Sequence, residues 1–329
     1  MLNIALIGIG NIGLLFDKDI NDKSKALSHI KAIYLHKKLN LKYAVDIDNT
    51  HKIIVQKFFP NVIFLNTYET LINNTDIDIL TIATPTSTHH KILKQFSKNK
   101  YIKQYFIEKP LFNTNKDYKN LLPTINNKIV INYLRRFDKN IQKLKKEILQ
   151  NKFGDVQKIV INYCKGIKNN GSHMIDMINF LFNNPKIVSS KILDTTKGFN
   201  KDDLTYDIFI KIKYQNQIIP IYFLGLDHTL YNVIEQNIYF ENKIVRYINS
   251  KSQIEYFNIV SDKIFPQYKV SSKKAKIKKV STKLLMLNAY KKIYKIIEKK
   301  EKNISSYKDE LANIKFLNLI LKGHNEISD

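Results

Sequence analysis

Over the first 135 positions the apolar residues fall into short continuous runs, the pattern of strands buried on both faces. Leu2–Ile7, Leu41–Val45, Val62–Leu65, Ile77–Ile82, Tyr105–Ile107 and Ile129–Tyr133 are six such runs. Between them the spacing shifts to a helical period over Ala26–Lys38, His89–Lys98 and Asn115–Leu121. Strand and helix in alternation predict a doubly wound parallel sheet. After residue 135 the pattern changes. A helix over Lys139–Gln150 and the turn Phe153-Gly154 lead to a strand, Val156–Cys164, and then to a helix over His173–Phe182. Asp207–Tyr214, Ile218–Leu224, Val233–Phe240, Ile244–Ile248 and Ile254–Ile259 alternate apolar and polar positions across short turns. That alternation predicts a large, mostly antiparallel open sheet with one covered face. Helices over Thr282–Lys300 and Tyr307–Leu321 follow, and the basic stretch Lys269–Lys279 reads as a disordered loop. The fold class is α/β, in two domains over residues 1–134 and 135–329.

The first strand runs without a spacer into Gly8-Ile9-Gly10-Asn11-Ile12-Gly13. Directly after a buried strand each glycine of this G-x-G-x-x-G has a physical job. Gly8 permits the tight turn, and Gly10 leaves room for a pyrophosphate against the backbone. Gly13 lets the next element pack on the strand, while the N–H groups around Asn11 and Ile12 face the phosphates. Asp46 ends the second strand, where a carboxylate holds the hydroxyls of an adenosine ribose and repels a 2′-phosphate. The expected cofactor is therefore NAD rather than NADP, on a Rossmann-type sheet. From Gly13 to Asp46 the chain advances 33 residues, against a usual gap of about 20, and the excess lies in a polar insertion over residues 17–24.

Composition alters this picture little. The chain has 329 residues, 44% hydrophobic and 25% charged, as in a soluble globular protein, and no apolar run long enough to cross a bilayer. Its apolar start lacks a basic leader and a small-residue cleavage site, so no signal peptide is expected. Cys164 is the single cysteine, which excludes an internal disulfide and fits the cytoplasm. The formal net charge is +25, but only three of the 54 basic residues are arginine, so 51 are lysine. Readers of bases and phosphates rely on arginine's planar fork, and the densest patch, Lys273 to Lys279, has no aromatic residues to stack on bases. Neither nucleic acid nor a membrane is expected as a partner.

Two segments at the carboxyl ends of strands supply candidate chemistry. Ala83-Thr84-Pro85 follows the fourth strand with His89 four residues beyond, and Glu108-Lys109-Pro110 follows the fifth. Open α/β sheets place ligands at this edge, and an ammonium there can stabilise an oxyanion that develops during hydride transfer. With Gly8, Gly10, Gly13 and Asp46, these segments make the chain similar to the Gfo/Idh/MocA family, named for glucose–fructose oxidoreductase, inositol dehydrogenase and a rhizopine-catabolism protein. Asn132-Tyr133-Leu134-Arg135-Arg136-Phe137 and Asn169-Asn170-Gly171-Ser172-His173-Met174-Ile175-Asp176 extend the resemblance.

The resemblance implies an NAD-dependent oxidoreductase acting on a hydroxyl or keto carbon of a sugar or sugar derivative, possible nucleotide sugars included. Lys109 and His173 match the family's catalytic lysine and histidine, with Asn169, Tyr163 and Arg135 on the substrate. Gly8, Gly10, Asn11, Ile12, Gly13, Asp46, Thr84, Pro85, His89, Glu108 and Lys109 would hold the cofactor, and no metal is implied. The second domain would bind substrate and form a homodimer or homotetramer through its sheet. One departure stands out. Family dehydrogenases often carry aspartate four residues before the histidine, where this chain has Asn169, an amide that cannot take a proton. Two other readings follow: an NAD-using glycosidase without net redox change, and a non-catalytic NAD-binding scaffold. His29, Tyr163 and Lys165 are weaker cleft candidates, more readily explained as structural or surface residues, and Asp176, three residues beyond His173, fits structural pairing on its helix face at least as well as catalysis.

Overall fold

The computed structural model describes residues 1–113, 117–118 and 123–325. Contacts divide the chain into two compact units, Met1–Asp138 with Ser281–Leu311, and Lys139–Val280 with Ala312–Asp329. The sequence pattern assigns everything after residue 134 to a second domain; the chain instead returns Ser281–Leu311 to the first unit.

The first unit is built on six parallel strands, β1 (Leu2–Ile7), β2 (Leu39–Val45), β3 (Ile63–Leu65), β4 (Ile79–Ile82), β5 (Gln104–Ile107) and β6 (Ile129–Ile131), in the order β3-β2-β1-β4-β5-β6. Their side chains are apolar on both faces because both faces are covered: Ile4, Leu6, Ile79, Phe106 and Val130 are fully buried. Strand order reverses between β1 and β4, the switch point where such sheets bind ligands. The covering helices include α1 (His29–Tyr34), α2 (His51–Phe58) and α3 (Thr86–Phe96).

The stretch after the glycine turn departs from the expected long helix over Ala26–Lys38. A single wide turn over Asn11–Leu15 follows the glycines, and α1 is only six residues long. The insertion explains the break. Buried Asp17 accepts the Leu27 N–H at 3.0 Å, and Ser28 caps α1 by accepting the Lys31 N–H. These bonds start the helix at His29, three residues after the expected Ala26. The helix expected over Asn115–Leu121 falls on residues of which only 117 and 118 are described.

The second unit carries α4 (Lys139–Leu149), α5 (Ser172–Leu181) and a ten-stranded sheet. Its strands are β7 (Val156–Tyr163), β8 (Lys186–Asn200), β9 (Asp203–Tyr214), β10 (Gln217–Gly225), β11 (Ile234–Phe240), β12 (Lys243–Ile248), β13 (Gln253–Ser261), β14 (Lys269–Ser271), β15 (Lys276–Lys279) and β16 (His324–Asn325). They run β14-β13-β12-β11-β7-β10-β9-β8-β16, with β15 also on β13. Apart from the parallel β7–β10 pair the ladders are antiparallel, and Ile159, Ile161, Ile208, Ile210, Ile219 and Ile221 fill the covered face. Two differences from the sequence pattern concern strands without a strong apolar signal. β8 is polar along much of its length, and the basic stretch 269–279 forms β14 and β15 rather than a disordered loop. Both pair through main-chain hydrogen bonds, which need no apolar side chains, and lysine on an edge discourages further pairing.

The chain then forms α6 (Leu285–Ile297), whose Met286, Ala289, Tyr290 and Ile293 enter the core of the first unit beside Ile30 and Phe106. Helix α7 (Tyr307–Lys322) follows. Among the described residues no helix is long and apolar enough to cross a membrane.

Candidate active site

Main-chain ladders of the first sheet continue past the strands and bring the candidate residues into one row. Gly8 donates its N–H to Val45 O, Ala83 to Ile7 O, Glu108 to Ile82 O and Asn132 to Ile107 O, at 2.8–3.0 Å. The segments after β1, β2, β4, β5 and β6 are thereby aligned along a single carboxyl edge.

The three glycines have different reasons to be glycine. A Cβ on Gly8, at φ +98°, would lie 2.7 Å from the Ala83 carbonyl, and one on Gly13 would lie 2.4 Å from Gly8 O. Packing within the protein accounts for both. Gly10 differs: nothing lies within 4 Å of its Cβ position. The fold does not need a glycine there, whereas a ligand pressed against that backbone does, which fits the residues to a dinucleotide pyrophosphate. The wide turn gives only one turn's worth of N–H groups, and Leu14 and Leu15 already donate to Gly10 O.

Asp46 closes the turn. Its Oδ2 accepts the Ile9 N–H at 2.6 Å and its Oδ1 the Asp48 N–H at 2.9 Å. One lone pair on each oxygen is left for ribose hydroxyls, with His51 Nδ1 3.8 Å from Oδ2. Thr84 and Pro85 lead into α3, where the Thr84 and Thr88 hydroxyls lie 2.7 Å apart.

His89 does not face the edge. It is fully buried, with Nδ1 3.0 Å from Leu111 O and Nε2 2.9 Å from Thr84 O. Burial pushes its pKa below the usual value, against the opposing pull of the two carbonyls. The direct cofactor contact expected from sequence is replaced by a brace between the loops after β4 and β5. Buried Glu310 completes that brace by accepting Leu111 N–H at 3.0 Å, Tyr118 O–H at 2.9 Å and Tyr133 O–H at 2.6 Å. Half-buried Lys109 thus sits in a segment anchored one residue before, at Glu108, and two residues after, at Leu111. Sequence reasoning missed Glu310, because nothing local links a carboxylate on α7 to position 111.

Arg135 is half-buried in the turn after β6. Its neighbour Arg136 is buried and structural, pairing with Asp309 at 2.9 Å and donating to Ile304 O at 2.8 Å.

In the second unit a wide turn over Gly166–Gly171 feeds directly into α5, so Asn169 stands on the turn and half-buried His173 in the helix's first turn. Asn169 donates its N–H to Asp203 Oδ2, and its carbonyl accepts the Ser172 hydroxyl. Asp176 faces inward, accepting from Asn313 Nδ2 at 2.8 Å, a structural role. Tyr163 requires a correction. It is fully buried, its hydroxyl donates to Tyr206 O at 2.9 Å and accepts Tyr206 N–H at 2.8 Å, and burial holds its pKa far above the ordinary phenol value. A hydroxyl engaged in both directions inside the sheet is not available to a substrate.

The NAD-binding Rossmann fold of the Gfo/Idh/MocA oxidoreductase family matches residues 2–133. No curated protein matches the sequence. Solved structures share the whole fold at low identity. A protein assigned as a myo-inositol dehydrogenase, from Sinorhizobium meliloti 1021, is 18% identical, with a TM-score of 0.71 over 98% of this chain and 97% of its own. One assigned as an NADPH-dependent oxidoreductase, from Desulfitobacterium hafniense, is 14% identical, with a TM-score of 0.75 over 98% and 94%. The transcriptional regulator Gal80p from Kluyveromyces lactis is 12% identical, with a TM-score of 0.74 over 98% and 89%. The match to the NAD-binding Rossmann fold of the Gfo/Idh/MocA oxidoreductase family thus covers residues 2–133, the stretch that holds all six parallel strands and their carboxyl edge.

Proposed function

We propose that this oxidoreductase uses NAD to transfer a hydride to or from a hydroxyl or keto carbon of a sugar or sugar derivative. The observation that carries the reading is the double anchoring of Lys109 at the carboxyl edge of the sheet, between Glu108 and the Glu310-bound Leu111. An ammonium held in place stabilises charge on a substrate oxygen without reorganising during the reaction. Gly10 and the turn after it hold the pyrophosphate, and Asp46 holds the ribose and disfavours a 2′-phosphate. When bound, NAD supplies the hydride acceptor or donor. His173 takes the proton from the substrate hydroxyl in oxidation and returns it in reduction, while Asn169 and Arg135 bind substrate oxygens. The dehydrogenase named for the Sinorhizobium structure favours a polyol-like substrate. The second unit would carry substrate recognition and, through its sheet, a homodimer or homotetramer; the single buried Cys164 suits a cytoplasmic enzyme.

A non-catalytic nucleotide-binding role is the second reading, favoured by Asn169 at the position of the family's usual aspartate. The test is NADH oxidation with a panel of keto sugars, NAD reduction with the matching alcohols, and dissociation constants for NADH and NADPH. Turnover that falls on the order of 10²-fold in Lys109→Ala, with tighter NADH binding, supports the oxidoreductase. Cofactor binding without turnover on any member supports the second reading, and tighter NADPH binding overturns the role given to Asp46.

A further inference from the structure

The insertion after the glycine turn delivers His29, which the nucleotide site does not use. The residue opens α1 and is fully buried. Its Nε2 lies 3.0 Å from Glu108 Oε1, and its Nδ1 lies 2.9 Å from the Tyr290 hydroxyl. That hydroxyl meets Thr81 Oγ1 at 3.1 Å. Asn132 Nδ2 donates to the same Glu108 oxygen at 2.5 Å. The ring is held from the side by Phe106, at 5.3 Å between centroids and 79° between planes.

Donor and acceptor inventory fixes the Glu108 end of this row. A carboxylate only accepts, so Nε2 of His29 carries the hydrogen. Nδ1, on the other side of the ring, meets the Tyr290 hydroxyl, a group that can donate to it. Burial drives the Tyr290 pKa far above its ordinary value, which keeps that proton in place. The Tyr290 and Thr81 hydroxyls share the next hydrogen bond. A continuous row of hydrogen bonds therefore joins Thr81, Tyr290, His29 and Glu108, and every side chain along it comes from the first unit. Two N–H donors converge on Oε1 of Glu108, and the next residue is Lys109.

We propose that His29 is a positioning residue, which fixes the Glu108 carboxylate and with it the Lys109 segment at the sheet edge. The idea rests on the role proposed above for Lys109. An ammonium on a long, flexible stem needs a rigid main chain beneath it, and misplacement on the ångström scale at a reacting group costs up to about 10²-fold in rate. Tyr290 and Thr81 hold the plane of the ring from its other side, so the row acts as a unit.

The experiment uses the full chain with ¹⁵N-labelled histidine, alongside His29→Gln, His29→Leu and Tyr290→Phe. The His29 resonances, identified by their loss in His29→Gln, should show a proton on Nε2. Tyr290→Phe should move the Nδ1 resonance and leave Nε2 protonated. A His29 with no proton on Nε2 overturns the contact with Glu108. In turnover, His29→Leu should lower kcat on the order of 10-fold or more with KM for NADH nearly unchanged. Gln should recover most of kcat, because its amide can still donate to Glu108. A Leu variant with wild-type kcat, or Leu and Gln variants equally impaired with equally lowered melting temperatures, would overturn the positioning role. Absence of turnover in the wild type would overturn the oxidoreductase reading beneath the proposal, while the Nε2 resonance would still report the His29–Glu108 contact.

Discussion

The carboxylate of Asp203 grips the turn that carries Asn169: Oδ2 accepts the Asn169 N–H at 2.9 Å and Oδ1 the Lys168 N–H at 2.8 Å. The approach is close enough to require glycine nearby, since a Cβ on Gly166, at φ +83°, would lie 2.2 Å from Oδ2. A carboxylate only 8% exposed therefore shapes the segment leading into His173. Charge-assisted bonds of this kind contribute more than neutral ones. Asp203→Ala should lower unfolding free energy by about 2–3 kcal/mol, with Asp203→Asn affected less because it keeps one acceptor. Urea titration measures both. An Ala variant as stable as the parent would show that the turn holds its shape without the carboxylate.

The glycine turn offers a cleaner separation of binding from folding. Gly10→Ala adds a methyl group where no protein atom lies within 4 Å, so its melting temperature should match the parent. The same methyl group occupies the space a pyrophosphate needs, and NADH affinity should fall on the order of 10-fold or more. Gly13→Ala meets Gly8 O at 2.4 Å and should destabilise the first unit by about 1–3 kcal/mol. Equal NADH affinity in Gly10→Ala and the parent would remove Gly10 from the phosphate site.

These contrasts mark what the sequence could carry. The six parallel strands were legible because apolar runs such as Leu2–Ile7 and Ile79–Ile82 have no use for water on either face. The edge residues Gly8, Asp46, Thr84 and Lys109 were legible because each follows such a run. Glu310 and Asp203 were not, since each acts on main-chain atoms far away in sequence, 199 residues in one case and 34 in the other. His29 shows the same limit from the other side. A histidine beside a polar insertion looks like a surface residue until α6 brings Tyr290 to it. Tyr163 misled because its position at the end of a long strand is also where a substrate contact belongs, and only the pairing with Tyr206 decides.

His89 links the loops after β4 and β5 to pH. Its folded-state pKa lies below the usual 6.5, with burial as the main cause. At and below pH 6.5 the unfolded chain binds a proton that the folded chain refuses, so the unfolded state gains. Stability from this group is full above the unfolded value and declines as pH falls through 6.5 toward the lower folded value. Melting temperature should therefore drop between pH 7.5 and 5.5, and the drop should shrink in His89→Gln. It should not vanish, because His36 is shifted the same way, by burial first and then by Lys291 and Lys38. An unchanged pH slope in His89→Gln would show that another group controls it.

The substitution at position 169 gives the sharpest test of the catalytic reading. His173→Ala should depress kcat on the order of 10²-fold and leave NADH affinity nearly unchanged, because the nucleotide residues Gly10 and Asp46 belong to the other unit. Asn169→Asp restores a carboxylate four residues before the histidine. A negative charge there favours the imidazolium and makes His173 a stronger base. Alcohol oxidation needs the neutral ring, so the rising limb of the pH–rate profile should move to higher pH. The change has a cost as well: Asp203 already holds the Asn169 N–H, and a second carboxylate beside it should lower stability modestly through like-charge repulsion. A profile that stays in place while stability falls would show that residue 169 senses Asp203 and not His173. If His173→Ala keeps its full rate as well, proton transfer belongs to a different group and the histidine's place at the start of α5 is structural.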